Sequence, residues 1–544
     1  MKKHFYVIAA LSLSMAACTN DVLSPEDESQ NVPDQEATSS ATVLKTVKLS
    51  SFDASPSRIV LEPQTKTYPI PGSISLFATI QNLSKETGKI NGFAKEESAD
   101  GRYLSATCVY FDKNTGTYYV TYHMQGNNYN TELEDQTSGF IETFTLDENG
   151  VPTVGKVYQA KDPSQLDFDF NHLFFDDLSN TDNNGNYKGS DTGTRVIAVG
   201  HTSSPTSTGK TDYKSMIAKL DLNSEEITFA PVLTGEKILD ENGKSLGNED
   251  AGDVNCVIRK YNYYYLATRK GIAVLNATLD NLFTPIPNYS QDPSYHAVEN
   301  STYFVRTPGS AKHLANYYPA YGSGFSFLYI TQEHPKTYDG NYSLPASIIN
   351  FSMNAGDGTL CGMNTSGGGA SIYDTKDFDL TSWSTGVNQF AIPNNISPID
   401  GKNVLANLNG RLYACLGKGG LYVRKNVNTL EGDKLVEETI KFSDKKDGTG
   451  SRPVNGVFVE DVENYNDGFI YVANGGCLTI LDRETLEQVA EISVFKAGEV
   501  EDASANYVHV YKTNNYTGKC PDRLVTVACG QQGVRVFKFV PPSR

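Results

Sequence analysis

The chain has 544 residues and a formal net charge of -18 at pH 7, from 64 acidic against 46 basic residues. That balance repels the phosphates of nucleic acid and of anionic lipid surfaces, and so argues against a nucleic-acid partner. Its eight Cys include seven beyond Cys18, an odd number that leaves at least one thiol outside any intrachain disulfide.

At the N-terminus Lys2 and Lys3 precede an apolar run from Phe5 to Met15, and the small residues Ala16 and Ala17 lead into Cys18. The run falls well short of the roughly 20 residues that cross a bilayer, so it reads as a signal peptide over 1–17. Met15-Ala16-Ala17-Cys18 resembles the lipobox of bacterial lipoproteins, with Met15 where Leu is usual. The resemblance implies cleavage before Cys18, acylation of that residue, and a place in the bacterial cell envelope at the outer membrane, with the membrane touched only through the anchor. Residues 18–45 are polar and too poor in large apolar groups to offset their ordering entropy, so they read as a tether. The folded domain is expected over 46–544.

From there short runs of Tyr, Val, Ile, Thr and Phe alternate with polar residues and are broken by Gly, Asn and Asp, which predicts an all-β fold. Two strand patterns recur seven times each. One is carried by Tyr118-Tyr119-Val120-Thr121, Val196-Ile197-Ala198-Val199, Tyr264-Tyr265-Leu266-Ala267, Leu328-Tyr329-Ile330-Thr331, Leu412-Tyr413-Ala414-Cys415, Ile470-Tyr471-Val472-Ala473 and Val525-Thr526-Val527-Ala528. The other lies upstream of each copy and aligns Thr107, Asn171, Asn255, Lys312, Asn403, Asn455 and Asn506 in one register. The shortest repeat, Asn455 to Asn506, spans about 50 residues, enough for a four-stranded antiparallel blade. A blade cannot bury both faces alone. The expectation is a single β-propeller of seven four-stranded blades, in which 46–81 supplies the strand missing from the last blade.

Residues 454–492, with Gly468-Phe469-Ile470-Tyr471-Val472-Ala473-Asn474-Gly475-Gly476 followed by Leu478-Thr479-Ile480-Leu481-Asp482, resemble the LVIVD and YVTN group of propeller repeats found in exported bacterial proteins. The resemblance implies a fold and no activity. One Trp, Trp383, is too few for a Trp-Asp, kelch or quinoprotein signature in every blade.

In a meander the start of each first strand and the end of each second strand share an edge, and the long insertions gather there, at 124–139, 202–214, 281–310, 334–344 and 354–401. They are rich in Tyr, Asn, Asp and Gly, which suits adaptable polar contact. The candidate ligand-binding residues on this edge are His123, His201, Arg269, Lys312 and His334. Thr107, Asn171, Asn255, Asn403, Asn455 and Asn506 have two readings, a polar ring at the channel mouth or side chains that satisfy backbone groups at blade junctions. His172 and His313 share the position after that register. Read as scattered over separate blades, the histidines give no metal site. Asn180-Thr181-Asp182-Asn183-Asn184-Gly185 with Asp191 reads as a plain turn and not a calcium loop. Asp176-Asp177 and Glu460-Asp461 place neighbouring carboxylates on opposite strand faces, so neither pair makes a general acid and base. Cys520 and Cys529 are the plausible disulfide, and no cofactor-binding motif occurs. The functional expectation is a non-enzymatic envelope lipoprotein that binds a protein or glycan through the elaborated edge. The alternative is a carbohydrate-active lyase or hydrolase on the same edge.

Overall fold

A computed structural model describes residues 44–63, 72–83, 103–125, 139–159, 167–177, 194–205, 211–260, 262–278, 281–285, 304–306, 310–317, 324–330, 347–353, 360–362, 389–391, 403–408, 411–429, 432–443, 452–460, 468–495, 504–515 and 520–542. Cys18, His334 and the 180–191 loop lie outside them. Among the described residues the fold is all-β, with one 3-10 turn at Pro56–Arg58, and no helix is long and apolar enough to cross a membrane.

The described strands form seven open antiparallel sheets of four or five strands and one two-stranded hairpin. The first sheet is Tyr103–Asp112, Thr117–Gln125, Phe140–Leu146 and Pro152–Gln159, and the second is Asp167–Asp177, Thr194–Pro205, Thr211–Asp221 and Glu226–Pro231. The hairpin Leu233–Leu239 and Ser245–Asp250 intervenes before the third sheet, Val254–Lys260, Tyr263–Thr268, Gly271–Asn276 and Phe304–Arg306. The fourth begins with Ser310–Tyr317, the fifth with Leu405–Leu408, the sixth with Val454–Val459 and the seventh with Tyr507–Lys512. The first strand of each sheet packs against the first strand of the next, and that of the seventh packs against that of the first.

Apolar side chains from both faces of the first sheet fill the spaces between it and its two neighbours. Leu104, Val109 and Tyr122 of the first sheet cluster with Ile80, Ala528 and Val534 of the seventh, while Tyr110 and Ile141 cluster with Phe168, Phe170 and Ala198 of the second. The core is therefore laminated between sheets, which is why strands carry long apolar runs and not a strict alternation.

The N-terminal segment departs from expectation. Ser73–Ile80 does pair with Val534–Val540 as the fourth strand of the seventh sheet. The rest of 46–81 does not stay there. Lys45–Lys48 pairs with Glu226–Pro231 at the outer edge of the second sheet, Ser50–Asp53 pairs with Pro152–Gln159 of the first, and Ile59–Leu61 adds a fifth strand to the seventh. One chain segment thus covers the outer edges of three consecutive sheets, so these have five strands where four were expected. Arg58, in the turn between two of these strands, reaches Glu142 at 2.5 and 2.9 Å, and Tyr122 Oη donates to the same carboxylate at 2.6 Å.

The same trio of buried Tyr, carboxylate and Arg recurs. Tyr264 donates to Asp176 at 2.7 Å beside Arg195 and Arg259, and Tyr471 donates to Glu460 at 3.1 Å beside Arg523 at 2.7 Å. Of the carboxylates flagged in the sequence, Asp176 and Glu460 thus sit in ion pairs within the frame, while Asp461 lies outside the described residues. The expected disulfide between Cys520 and Cys529 is absent, and Cys529 is fully buried within an apolar cluster.

Candidate functional site

The register position has a structural cause. In five sheets it is the extra residue of a β-bulge: the ladder skips Thr107, Asn171, Asn255, Lys312 and Asn455. A bulge takes a side chain out of the up-and-down alternation and aims it sideways. Asn171 Nδ2 accordingly donates to the Val254 carbonyl at 3.0 Å and to Asp253 Oδ1 at 2.8 Å, in the next sheet. Asn255 does the same to the Ala311 carbonyl at 2.7 Å and Ser310 Oγ at 3.4 Å, and Asn455 to the Ala505 carbonyl and Ser504 Oγ, both at 3.0 Å. Asn506 carries the pattern from the seventh sheet to the first, donating to the Ala106 carbonyl at 3.0 Å. These four Asn side chains bond to backbone at the junctions between sheets. Thr107 instead donates to the Thr121 carbonyl of its own sheet at 3.1 Å, and Asn403, like Asn455 and Asn506, is buried.

Two residues before the register position stands Asp or Ser in five units: Ser105, Asp169, Asp253, Ser310 and Ser504. The side chains of Asp253, Ser310 and Ser504 accept from the preceding unit's Asn. In the second and third sheets that position is acidic, and there the frame holds a charged cluster.

His123, from the end of the second strand of the first sheet, places Nδ1 2.6 Å from Asp169 Oδ2. His201, from the second sheet, lies 3.8 Å from the same oxygen through Nε2 and 3.2 Å from Asp253 Oδ1 through Nδ1. The result is a line, His123, Asp169, His201, Asp253, Asn171, across three sheets. Gly200 makes the approach possible, since a Cβ there would sit 2.0 Å from the Asp169 carbonyl oxygen. Tyr213, 43 % exposed, stacks edge-on against His201 at 5.4 Å.

The histidines are thus not scattered, and sequence reasoning missed the two carboxylates that join them. Their signal was present as the Asp-x-Asn repeat at 169–171 and 253–255. His123 and His201 keep 9 % and 8 % of their surface and face carboxylates, so little of either ring is open to a ligand. Arg269 follows the second strand of the third sheet, its backbone N–H bonding to the Asp253 carbonyl at 2.9 Å. Arg269 and Lys312 are partly buried.

Burial favours the neutral form of His201, but Asp253, then Asp169 and Asp250, outweigh it and hold the imidazole up at about 9. Burial likewise opposes ionisation of Asp169, yet His123 and His201 keep its carboxyl below the usual range. A raised imidazole value means that its stabilisation is complete below the unfolded value of 6.5 and disappears as pH rises through about 9. The melting temperature of the wild type is therefore expected to fall between those limits by more than that of His201→Gln. Parallel pH profiles for the two proteins would show that the cluster does not hold His201 cationic.

The hairpin roots beside this cluster. Asp250 accepts from Ser215 Oγ at 2.9 Å and from the Gly252 N–H at 2.8 Å, and Lys270 Nζ reaches Glu249 at 3.0 Å and the Asp250 carbonyl at 2.9 Å. Above that polar base, Ile238, Leu239 and Leu246 are 46 %, 57 % and 49 % exposed. On the opposite edge a cavity of about 260 Å³ is lined by Phe111, Asp112, Lys113, Phe175, Asp177 and His509, among others.

No family model matches the chain, and no curated protein matches it. Among solved structures, it is similar to the Cps50 (Swd1) beta-propeller domain of Myceliophteria thermophila at 9% identity and a TM-score of 0.39, over 81% of this chain and 99% of that one. A putative 6-phosphogluconolactonase from Bacteroides uniformis is similar at 12% identity and a TM-score of 0.35, over 71% of this chain and 84% of that one.

Proposed function

We propose that the chain is an exported, lipid-anchored β-propeller of seven blades that binds a partner, without catalysis, through the edge that carries the hairpin. The propeller reading is supported by the cyclic packing of first strands and by the Asn side chains that link unit to unit, including seventh to first. Strand Ser73–Ile80 beside Val534–Val540 then acts as the closure between chain ends.

The observation that carries the binding reading is the hairpin, Leu233–Leu239 with Ser245–Asp250, which exposes Ile238, Leu239 and Leu246 above a rigid polar root. Three aliphatic side chains held out on one short ribbon match the apolar anchors of protein interfaces better than they match a hydroxyl-rich glycan. An enzymatic reading needs a base open to substrate. The two described histidines on this edge, His123 and His201, are largely buried and paired with carboxylates.

Photo-crosslinking from position 239 in intact cells is expected to give a discrete protein adduct. It should disappear when Ile238 and Leu246 become Ser, with stability changed by about 0.5 kcal/mol or less. In parallel, a polysaccharide panel should yield no products; release of reducing ends would establish the enzyme instead, and glycan binding without a protein adduct would reassign the partner. Cys18→Ala is expected to move the protein out of the membrane fraction. Unchanged fractionation would place the anchor elsewhere.

A further inference from the structure

The residues that follow the bulge in the second, third and fourth sheets are His172, Cys256 and His313. Because the bulge resets the alternation in the same way in each first strand, these three side chains converge where the first strands meet. Their ligand atoms all lie within 4.8 Å of one another. The two imidazole rings meet edge-on at 5.6 Å, and Tyr110 packs edge-on against His172 at 5.4 Å, which restricts how that ring can turn.

The surroundings ask for an explanation. Both ring nitrogens of His313 are buried without a hydrogen bond, an arrangement that costs free energy unless something occupies the lone pair. Cys256 is fully buried, and its sulfur has only the distant Val257 and Leu314 carbonyls, both at 3.9 Å.

We propose that His172, Cys256 and His313 form a three-coordinate site for one Cu(I) ion. Two imidazoles and a thiolate are a soft donor set, and Cu(I) accepts trigonal coordination. Charge decides between the thiophilic ions. The cluster contains one group that becomes anionic and no carboxylate, so Cu(I) with a Cys256 thiolate is neutral, whereas Zn(II) leaves a net positive charge in a desolvated space and prefers a fourth ligand. Metal–nitrogen and metal–sulfur bonds of about 2.0 to 2.3 Å require the three atoms to draw in by about 1 Å, a rotamer-scale adjustment. On binding, the Cys256 S–H bond breaks, the proton leaves to solvent, and a Cu–S bond and two Cu–N bonds form with no change in oxidation state.

The test uses the purified full-length protein, loaded anaerobically with Cu(I) in competition with bathocuproine disulfonate. One ion per chain is expected, and X-ray absorption of the loaded protein should show one sulfur and two nitrogen neighbours. Cys256→Ser and His313→Asn should each weaken Cu(I) at least about 100-fold, whereas Cys477→Ser and Cys520→Ser should leave it unchanged. Absorption spectra of the wild type decide the matter even if a variant fails to fold. The proposal is overturned if Cu(I) does not bind, if it binds through other thiols, or if the site takes Zn(II) in preference.

Discussion

Deleting residues 44–83 is expected to abolish soluble folding, whereas deleting 19–43 should leave the melting temperature within a degree or so of the wild type. The first deletion strips strands from the second, first and seventh sheets together. Its largest single loss is the partner of Val534–Val540, a strand whose Val534, Val536, Phe537 and Phe539 are fully buried and whose backbone edge would lie open to another chain. It also removes Ile80 and Leu83 from the cluster between seventh and first sheets, and takes Arg58 from a Glu142 that has no solvent exposure. Stranding a buried carboxylate in this way costs about 3–5 kcal/mol before any lost burial is counted. Because the Gly72 N–H bonds to the Val540 carbonyl at 2.7 Å, residues 72–83 appended after Val540 through a short linker should partly rescue folding of the deleted chain. Equal melting temperatures for the two deletions would mean that the segment adds nothing to the fold.

The second large effect is expected at Glu460. Its carboxylate accepts from Arg523 Nε at 2.7 Å and from Tyr471 Oη at 3.1 Å, while its backbone carbonyl accepts from Arg483 Nη1 at 3.0 Å. Arg523 is 1 % exposed, so Glu460→Ala leaves a guanidinium with neither water nor a counter-charge. About 3–5 kcal/mol should be lost, read as a lower urea midpoint at constant slope. Replacing both partners, as in Glu460→Leu with Arg523→Met, should recover part of that loss, because no charge is then left buried alone. A Glu460→Ala variant within about 1 kcal/mol of the wild type would show that water reaches Arg523, contrary to its burial.

Both effects concern the frame, and the frame is where the sequence was most readable. Repeated strands such as Ile470-Tyr471-Val472-Ala473 emerge as second strands of their sheets because β-branched and aromatic residues stiffen an extended backbone wherever they are placed. The register Asn was likewise visible, since a side chain used for the same backbone contact in successive units leaves one residue type at one position. What the repeat did not reveal is the bulge that aims it. A bulge is a property of two paired strands, and its extra residue looks like any other in one of them.

The sequence by itself determined the all-β class, the repeat and the strand that meets Val534–Val540, because these follow from local stiffness, periodicity and the need to cover an edge. Only the tertiary structure decided how residues 44–63 and 72–83 are shared among three sheets, since strands as short as Lys45–Lys48 have too few side chains to specify a partner. It alone decided that His123 and His201 meet through Asp169, and that His172, Cys256 and His313 share one interior space. In both cases residues of different sheets are brought together. Their distance is fixed by how sheet packs on sheet, for which no local pattern in the chain is a measure.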